Sequence, residues 1–437
     1  MKPGTYLLKT TRGLTALAGD PEVSRNSKTQ TEAATAAFRV SVFLSLGFIG
    51  FAPGASAQSP GSTPRDELVE RLIKRVEGLE AEVKAMKGAA RHAGSPDPAG
   101  DTGAEEAAAR TSFPEVKFHG FADVQYRASD RAGQKNSFTL GQLDFFVTSR
   151  LSEDVSVLNE NVVEASDENA FGFEIERLLL QYTPSDYFNV AVGRGHTAIG
   201  YYNNAYHHGT WFQTATERPF VFNFEDDEGI LATHNVGVSV SGRIPSGRLG
   251  LRYVAEVGNG RNYTADQESV LSVKDNNSHK ALNLALLARP MSWPGLQGGV
   301  SVYQDRLTTE GLPDITQTIF TAHLVYPTPA FEWLNEGMVF RHAPSDSGRV
   351  FYTPAFYTQF AKQFGKFRPY VRYQYLDAPT GDPLFAYLGL SGLRHGPSAG
   401  LRYDFTELAT LKLQYDHYFE PGGIDVNQFT AQVGFTF

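Results

Sequence analysis

The chain closes on Gln428-Phe429-Thr430-Ala431-Gln432-Val433-Gly434-Phe435-Thr436-Phe437, where apolar and polar positions alternate without a break. Alternation at period two marks an extended strand with one face toward an apolar medium and the other toward water. Val433, Phe435 and the terminal Phe437 share the apolar face. A strand of this kind limits the rest of the chain to architectures that can surround it with others like it.

Composition narrows the choice. The 437 residues include 31 Phe, 20 Tyr, 42 Gly and no Cys, and 41% are hydrophobic. Mean hydropathy is −0.29, and no apolar run reaches the roughly 18 residues of a spanning helix. A membrane protein of this composition has to be a barrel, whose strands show lipid only every second residue. The lack of Cys excludes disulfide frameworks and thiolate sites. The formal charge of −9 is diffuse, and no basic patch points to nucleic acid.

Arg39 precedes the apolar stretch 40–52, which is followed by Pro53-Gly54 and Ala55-Ser56-Ala57. A short apolar region ending in A-x-A is a secretory leader, so residues 1–57 are expected to be an N-terminal extension and signal peptide cleaved after Ala57. The leading segment is long, and translation is expected to start downstream of Met1. After a linker at 58–65, residues 66–87 place Val69, Leu72, Val76, Leu79, Val83 and Met86 at 3-4-3-4-3 spacing, a three-heptad coiled-coil seam. With Val69 at a, the pairs Arg75–Glu80 and Glu82–Lys87 are opposite in sign, which favours a parallel partner. Val at a and Leu at d lean toward dimers, whereas Arg75-Val76-Glu77-Gly78-Leu79-Glu80 resembles a short motif of trimeric coiled coils. Gly78 costs about 1 kcal/mol relative to Ala, so this helix is marginal alone. Residues 88–115 read as a flexible linker.

From Val116 onward, strand patterns begin near residues 116, 138, 154, 171, 187, 229, 247, 280, 297, 315, 331, 349, 366, 396, 408 and 426. Connections after even strands are short, as at Ser152-Glu153, Pro184-Ser185-Asp186, Gly365 and Thr406-Glu407. Those after odd strands are longer, as at 258–279 and 379–394. Barrels that begin and end in the periplasm have this asymmetry. The expected fold is all-β: a 16-stranded antiparallel transmembrane β-barrel over residues 116–437, preceded by a short periplasmic α-helical coiled coil.

Facing follows from alternation. Leu251, Tyr253 and Val257, then Val371, Tyr373 and Tyr375, then Leu411, Leu413 and Tyr415 form outward sets. Arg252 and Glu256, Arg368, Arg372 and Gln374, Arg402 and Asp404, and Lys412, Gln414 and Asp416 form inward sets. Arg or Lys on the lipid face costs about 2–4 kcal/mol at the midplane, so these charges imply a wet lumen. Sixteen strands enclose an aqueous channel.

The longest connection, about 194–228, is the third outer loop. It carries Tyr201, Tyr202, Tyr206, Trp211 and Phe212, and free loops are seldom so aromatic. It is expected to fold inward and narrow the pore. Opposing charges across such a constriction select solutes. The loop candidates are Arg194, His207, His208, Arg218, Glu225, Asp226, Asp227 and Glu228. The wall candidates are Arg252, Arg368, Arg372, Arg402 and Lys412. Each wall Arg could instead be braced by Asp404, Asp416 or Glu256, and the acidic run could be a solvated hinge.

The terminal aromatic strand resembles the C-terminal signature of bacterial outer-membrane barrels. The leader, heptads, linker and barrel together resemble trimeric porins with periplasmic coiled coils, including the DcaP-like dicarboxylate group and the phosphate-selective porin O/P family. The third loop resembles their constriction loop. The resemblance implies a Gram-negative outer-membrane homotrimer, in contact with lipid, that passes small hydrophilic solutes without a cofactor. Phosphate-specific members rely on dense Arg and Lys ladders. Here Asp and Glu are mixed among inward Arg, and a mild preference for small anions is expected.

Two other readings are weaker. A barrel hydrolase could draw on His119, Asp123, Ser149 and His417, but the chain has no G-x-S-x-G element. A metal site at His196, His207 and His208 suffers because adjacent His on extended chain point to opposite faces. An envelope-anchoring barrel that conducts nothing is the remaining alternative.

Overall fold

Exposed and buried positions are reversed from those of a water-soluble protein. In the computed structural model, Leu282, Leu284 and Leu286 are exposed on one strand, while Ala281, Asn283 and Ala285 between them are buried. Lys412, Gln414 and Asp416 are fully buried beside exposed Leu413 and Tyr415. The outer skin is apolar and the polar side chains turn inward.

The structure describes residues 113–165, 170–206, 212–223, 229–263, 269–270 and 273–437. The leader, the coiled coil and most of the linker expected at 88–115 lie outside them. So do His207, His208 and residues 225–228 of the third loop.

Sixteen strands close one antiparallel barrel. They are β1 (Glu115–Ser129), β2 (Ser137–Arg150), β3 (Val155–Ala165), β4 (Phe171–Ser185), β5 (Phe188–His196), β6 (His234–Arg243), β7 (Leu251–Gly258) and β8 (Ala281–Ala288). The circle continues with β9 (Gln297–Leu307), β10 (Ile315–Pro327), β11 (Phe331–Pro344), β12 (Phe351–Lys362), β13 (Phe367–Ala378), β14 (Gly392–Asp404), β15 (Ala409–Glu420) and β16 (Ile424–Thr436). Each strand pairs with its sequence neighbours, and β1 pairs with β16 from Phe121↔Thr436 to Ser129↔Gln428. At the seam Gly120 and Phe437 exchange two backbone hydrogen bonds of 2.9 Å. A Cβ at Gly120 would lie 2.5 Å from the Phe437 ring, which would then have to shift from its place across β1.

The two ends differ. Tight turns such as 328–330 and 363–366 join strands at one end, where Trp333 stacks on Phe360 and Phe367 on Tyr403 in an aromatic girdle. The opposite end carries the long connections 197–233, 259–280 and 379–391, although β15 and β16 are joined there by the tight turn 421–423.

These three long loops fold into the mouth. Ile199, Tyr202, Val221, Phe222, Ile230 and Leu231 of the first pack on Tyr303, Ile319, Leu334, Met338 and Tyr357 of the inner wall. The inward faces of β9–β12 are thus partly apolar, because they are covered by protein. In loop 379–391 the short helix α2 (Pro383–Tyr387) buries Leu384 and Phe385. Its N-cap Asp382 accepts Leu384 N–H at 3.0 Å, and its other oxygen meets His342 Nδ1 at 2.7 Å.

Candidate functional site: the lumen and its inserted loop

Loop 197–233 starts from a tied base. The Asn203 amide donates to the carbonyls of Thr197 (2.9 Å) and Thr233 (3.1 Å), joining the stems beyond β5 and β6. Ala198 N–H donates to Glu256 at 2.9 Å. The chain then turns at Gly200, whose φ is +69°, and whose missing Cβ would lie 2.4 Å from a Glu336 oxygen. Glycine there allows the buried Glu336 on β11 to accept the N–H groups of Tyr201 and Tyr202, the second at 2.8 Å, and the Tyr357 hydroxyl at 2.6 Å. Helix α1 (Tyr202–Ala205) follows at once.

From Phe212 onward the loop runs along β13–β15. Three cations on three adjacent strands bond its carbonyls at alternate residues. Arg402 on β14 donates to Gln213 O (3.0 Å), Lys412 on β15 to Ala215 O (3.1 Å) and Arg372 on β13 to Glu217 O (2.8 Å). Gln414 accepts Thr216 N–H at 3.2 Å and Gln374 accepts Phe220 N–H at 2.9 Å. The Glu217 carboxylate pairs with Arg127 of β1 at 2.9 Å and accepts from Gln428 of β16 at 2.8 Å. Hydrogen bonds to an ionised partner are roughly twice as strong as neutral ones, and buried charges need such partners. The loop is therefore clamped along residues 213–220.

Its rings are packed as well as bonded. Tyr202 stacks on Phe222 at 5.5 Å and meets Tyr357 edge-on at 5.8 Å. Burial raises the phenols of Tyr202 and Tyr206 and pushes Tyr201 up to about 12, so all three stay neutral at physiological pH.

The wall of β3–β6 is organised differently. The register shifts between Glu160 and Asn161, so Glu160 pairs with Arg177 but Asn161 with Ile175. This bulge turns two successive residues of β4, Glu176 and Arg177, inward, where strict alternation would send one outward. Arg177 bonds Glu160, Arg194 lies 3.6 Å from Glu176, and His234 Nε2 lies 2.6 Å from Glu176.

The expected site residues thus fall into separate groups. Arg194 lies on β5, within the wall, because that strand continues to His196. Arg218 is in the loop, donates to Phe222 O and lies 5.7 Å over the Tyr202 ring. Arg372, Arg402 and Lys412 bond the loop, and Arg402 also donates to Asp404 at 2.7 Å. Arg368 donates to Pro329 O at 3.1 Å, at the tight-turn end. Arg252 lines a recess of 260 Å³ on β4–β7, with Gln181, Thr183, Asn189, Ser239 and Ser241. Alternation alone did not single out Glu217, Glu332 or Glu336. Glu332 and Glu336 are nevertheless at inward positions two turns of the pleat apart, a signal available in the sequence.

No protein-family model and no curated protein matches the chain. Solved structures do. The anion-selective porin from Comamonas acidovorans is 12% identical, with a TM-score of 0.52 over 74% of this chain and 100% of that one. The outer membrane channel DcaP of Acinetobacter baumannii is 10% identical, with a TM-score of 0.52 over 74% and 97%. OmpT of Vibrio cholerae in its trimer form is 11% identical, with a TM-score of 0.50 over 74% and 99%. At such low identity the likeness is one of fold: the chain folds as a porin-like closed barrel of sixteen antiparallel strands.

Proposed function

We propose that this protein is an outer-membrane porin through which small hydrophilic solutes diffuse passively, with a mild preference for small anions. The observation that carries the reading is the combination of an apolar outer skin with a polar interior crossed by a clamped loop. An interior built of Gln, Ser, Thr and paired charges is useful only if water and solutes enter it. The shared fold with DcaP and with an anion-selective porin supports the same reading.

Arg194, His207, His208, Arg218 and the acidic run Glu225, Asp226, Asp227 and Glu228 are proposed to line the constriction. Arg252, Arg368, Arg372, Arg402 and Lys412 are proposed to set its field from the wall. Assembly as a homotrimer fits the heptads at 66–87 and the trimer form of OmpT. The leader ending at Ala57 and a periplasmic coiled coil belong to the same proposal.

Planar-bilayer recording of purified protein in a KCl gradient tests it. Stepwise conductance with a reversal potential on the anion side is expected. Absence of steps would remove the porin reading, and a strongly cation-selective potential would remove the anion preference.

A further inference from the structure

Among the described residues, most lumenal cations are already engaged. Arg372, Arg402 and Lys412 hold loop carbonyls, Arg177 bonds Glu160, and Arg127 pairs with Glu217. Arg252 differs. Among the described residues its guanidinium meets no carboxylate and no carbonyl, and it points into the recess on β4–β7 toward the tight-turn end. Inward alternation on four neighbouring strands surrounds it with Gln181 and Thr183, Asn189, and Ser239 and Ser241.

We propose that this recess binds a small monoanionic hydroxy-carboxylate, with Arg252 taking the carboxylate and the hydroxyl and amide side chains taking the solute's hydroxyls. The inference rests on the porin reading and names the solute class. A guanidinium matches a carboxylate in a two-point fork. Ser, Thr, Asn and Gln each donate and accept, which is what an alcohol requires and a bare inorganic ion does not. Charge balance limits the ligand to one negative charge. Asp186 also lines the recess, although paired with Arg243 at 3.0 Å, and Glu256 lies four residues beyond Arg252 on the same strand. With Asp186 already offset by Arg243, Arg252 is the one charge in the recess left for a solute, and a single carboxylate balances it. The volume of 260 Å³ suits a molecule of several carbons.

The test is single-channel recording in KCl with D-gluconate as probe, and with D-glucose, propionate and orthophosphate as comparisons. Gluconate is expected to interrupt the current at lower concentration than the other three. Arg252→Gln should weaken that block roughly tenfold or more, the loss expected for a hydrogen-bonded charge. Ser239→Ala should weaken gluconate block and leave propionate block unchanged, which separates hydroxyl recognition from simple attraction. Steady channels with equal block by gluconate and propionate, or full block in the Arg252→Gln protein, would overturn the site and leave the porin reading intact. A barrel inserted in the bilayer that passes no current would overturn both.

Discussion

The inner wall has two sectors built from the same residue types and put to opposite uses. On β13–β15 the inward cations Arg372, Arg402 and Lys412 are buried and spent on the carbonyls of residues 213, 215 and 217. On β7 Arg252 faces hydroxyl and amide side chains and has no such partner among the described residues. The contrast teaches that inward arginines do not act alike. What decides is whether another part of the chain has already satisfied each one.

Substitutions can break or sharpen this contrast. The largest effect is expected at Glu336→Ala on the covered side. Two loop amides and the Tyr357 hydroxyl would lose their buried acceptor, at about 1–3 kcal/mol for each. Hydrogen exchange at residues 201–202 should then speed up sharply, and channel conductance should rise as the loop loosens. Unchanged exchange would mean that the loop does not depend on this anchor.

Arg372→Leu should have a smaller effect, about 2 kcal/mol, from freeing the Glu217 carbonyl and the Gln359 side chain. Thermal unfolding in detergent would report it, together with greater open-channel noise. Arg252→Gln on the bare wall should move stability by less than about 0.5 kcal/mol, as for a residue without partners. The KCl reversal potential should nevertheless shift toward cations. If the two arginine variants behaved alike, the distinction between sectors would fail.

The smallest effect is expected at the rim between β1 and β16. Asp130 accepts Asn427 N–H and its side-chain amide, each at 2.7 Å. These hydrogen bonds hold the exposed Asp130 carboxyl below its ordinary value of 3.8. A lowered folded-state value means the tie contributes fully above pH 3.8 and is lost as pH falls through the lower one. NMR titration of the Asn427 amide should therefore stay flat at neutral pH and move only in strong acid, and Asp130→Asn should abolish the movement.

Much of the barrel is legible in the sequence because alternation is a local signal. The expected starts near 171, 297, 315 and 331 coincide with Phe171, Gln297, Ile315 and Phe331. The start expected near 229 is instead His234. Ile230, Leu231 and Ala232 are apolar because they close the loop core, and a short buried run reads the same in either setting. The start near 247 gives way to the 3₁₀ turn Gly247–Leu249, and strand β14 begins four residues before the expected 396. The inward position of Arg177 was hidden because a bulge breaks the parity that sequence reading assumes. Inward placement of Arg402 and Lys412 could be read directly, but not their role. Their partners are backbone carbonyls some two hundred residues away, and carbonyls carry no sequence signature.

That the third loop crosses the lumen to the far wall can be tested directly, since the chain has no Cys to interfere. Ala215 packs with Ala361 and Tyr370 on that wall, whereas Ala191 lies across the bore at the recess. Paired Ala215→Cys and Ala361→Cys substitutions, treated with a short bismaleimide in the intact membrane, are expected to cross-link efficiently. Ala215→Cys with Ala191→Cys should not. Cross-linking of the second pair in preference to the first would contradict the crossing.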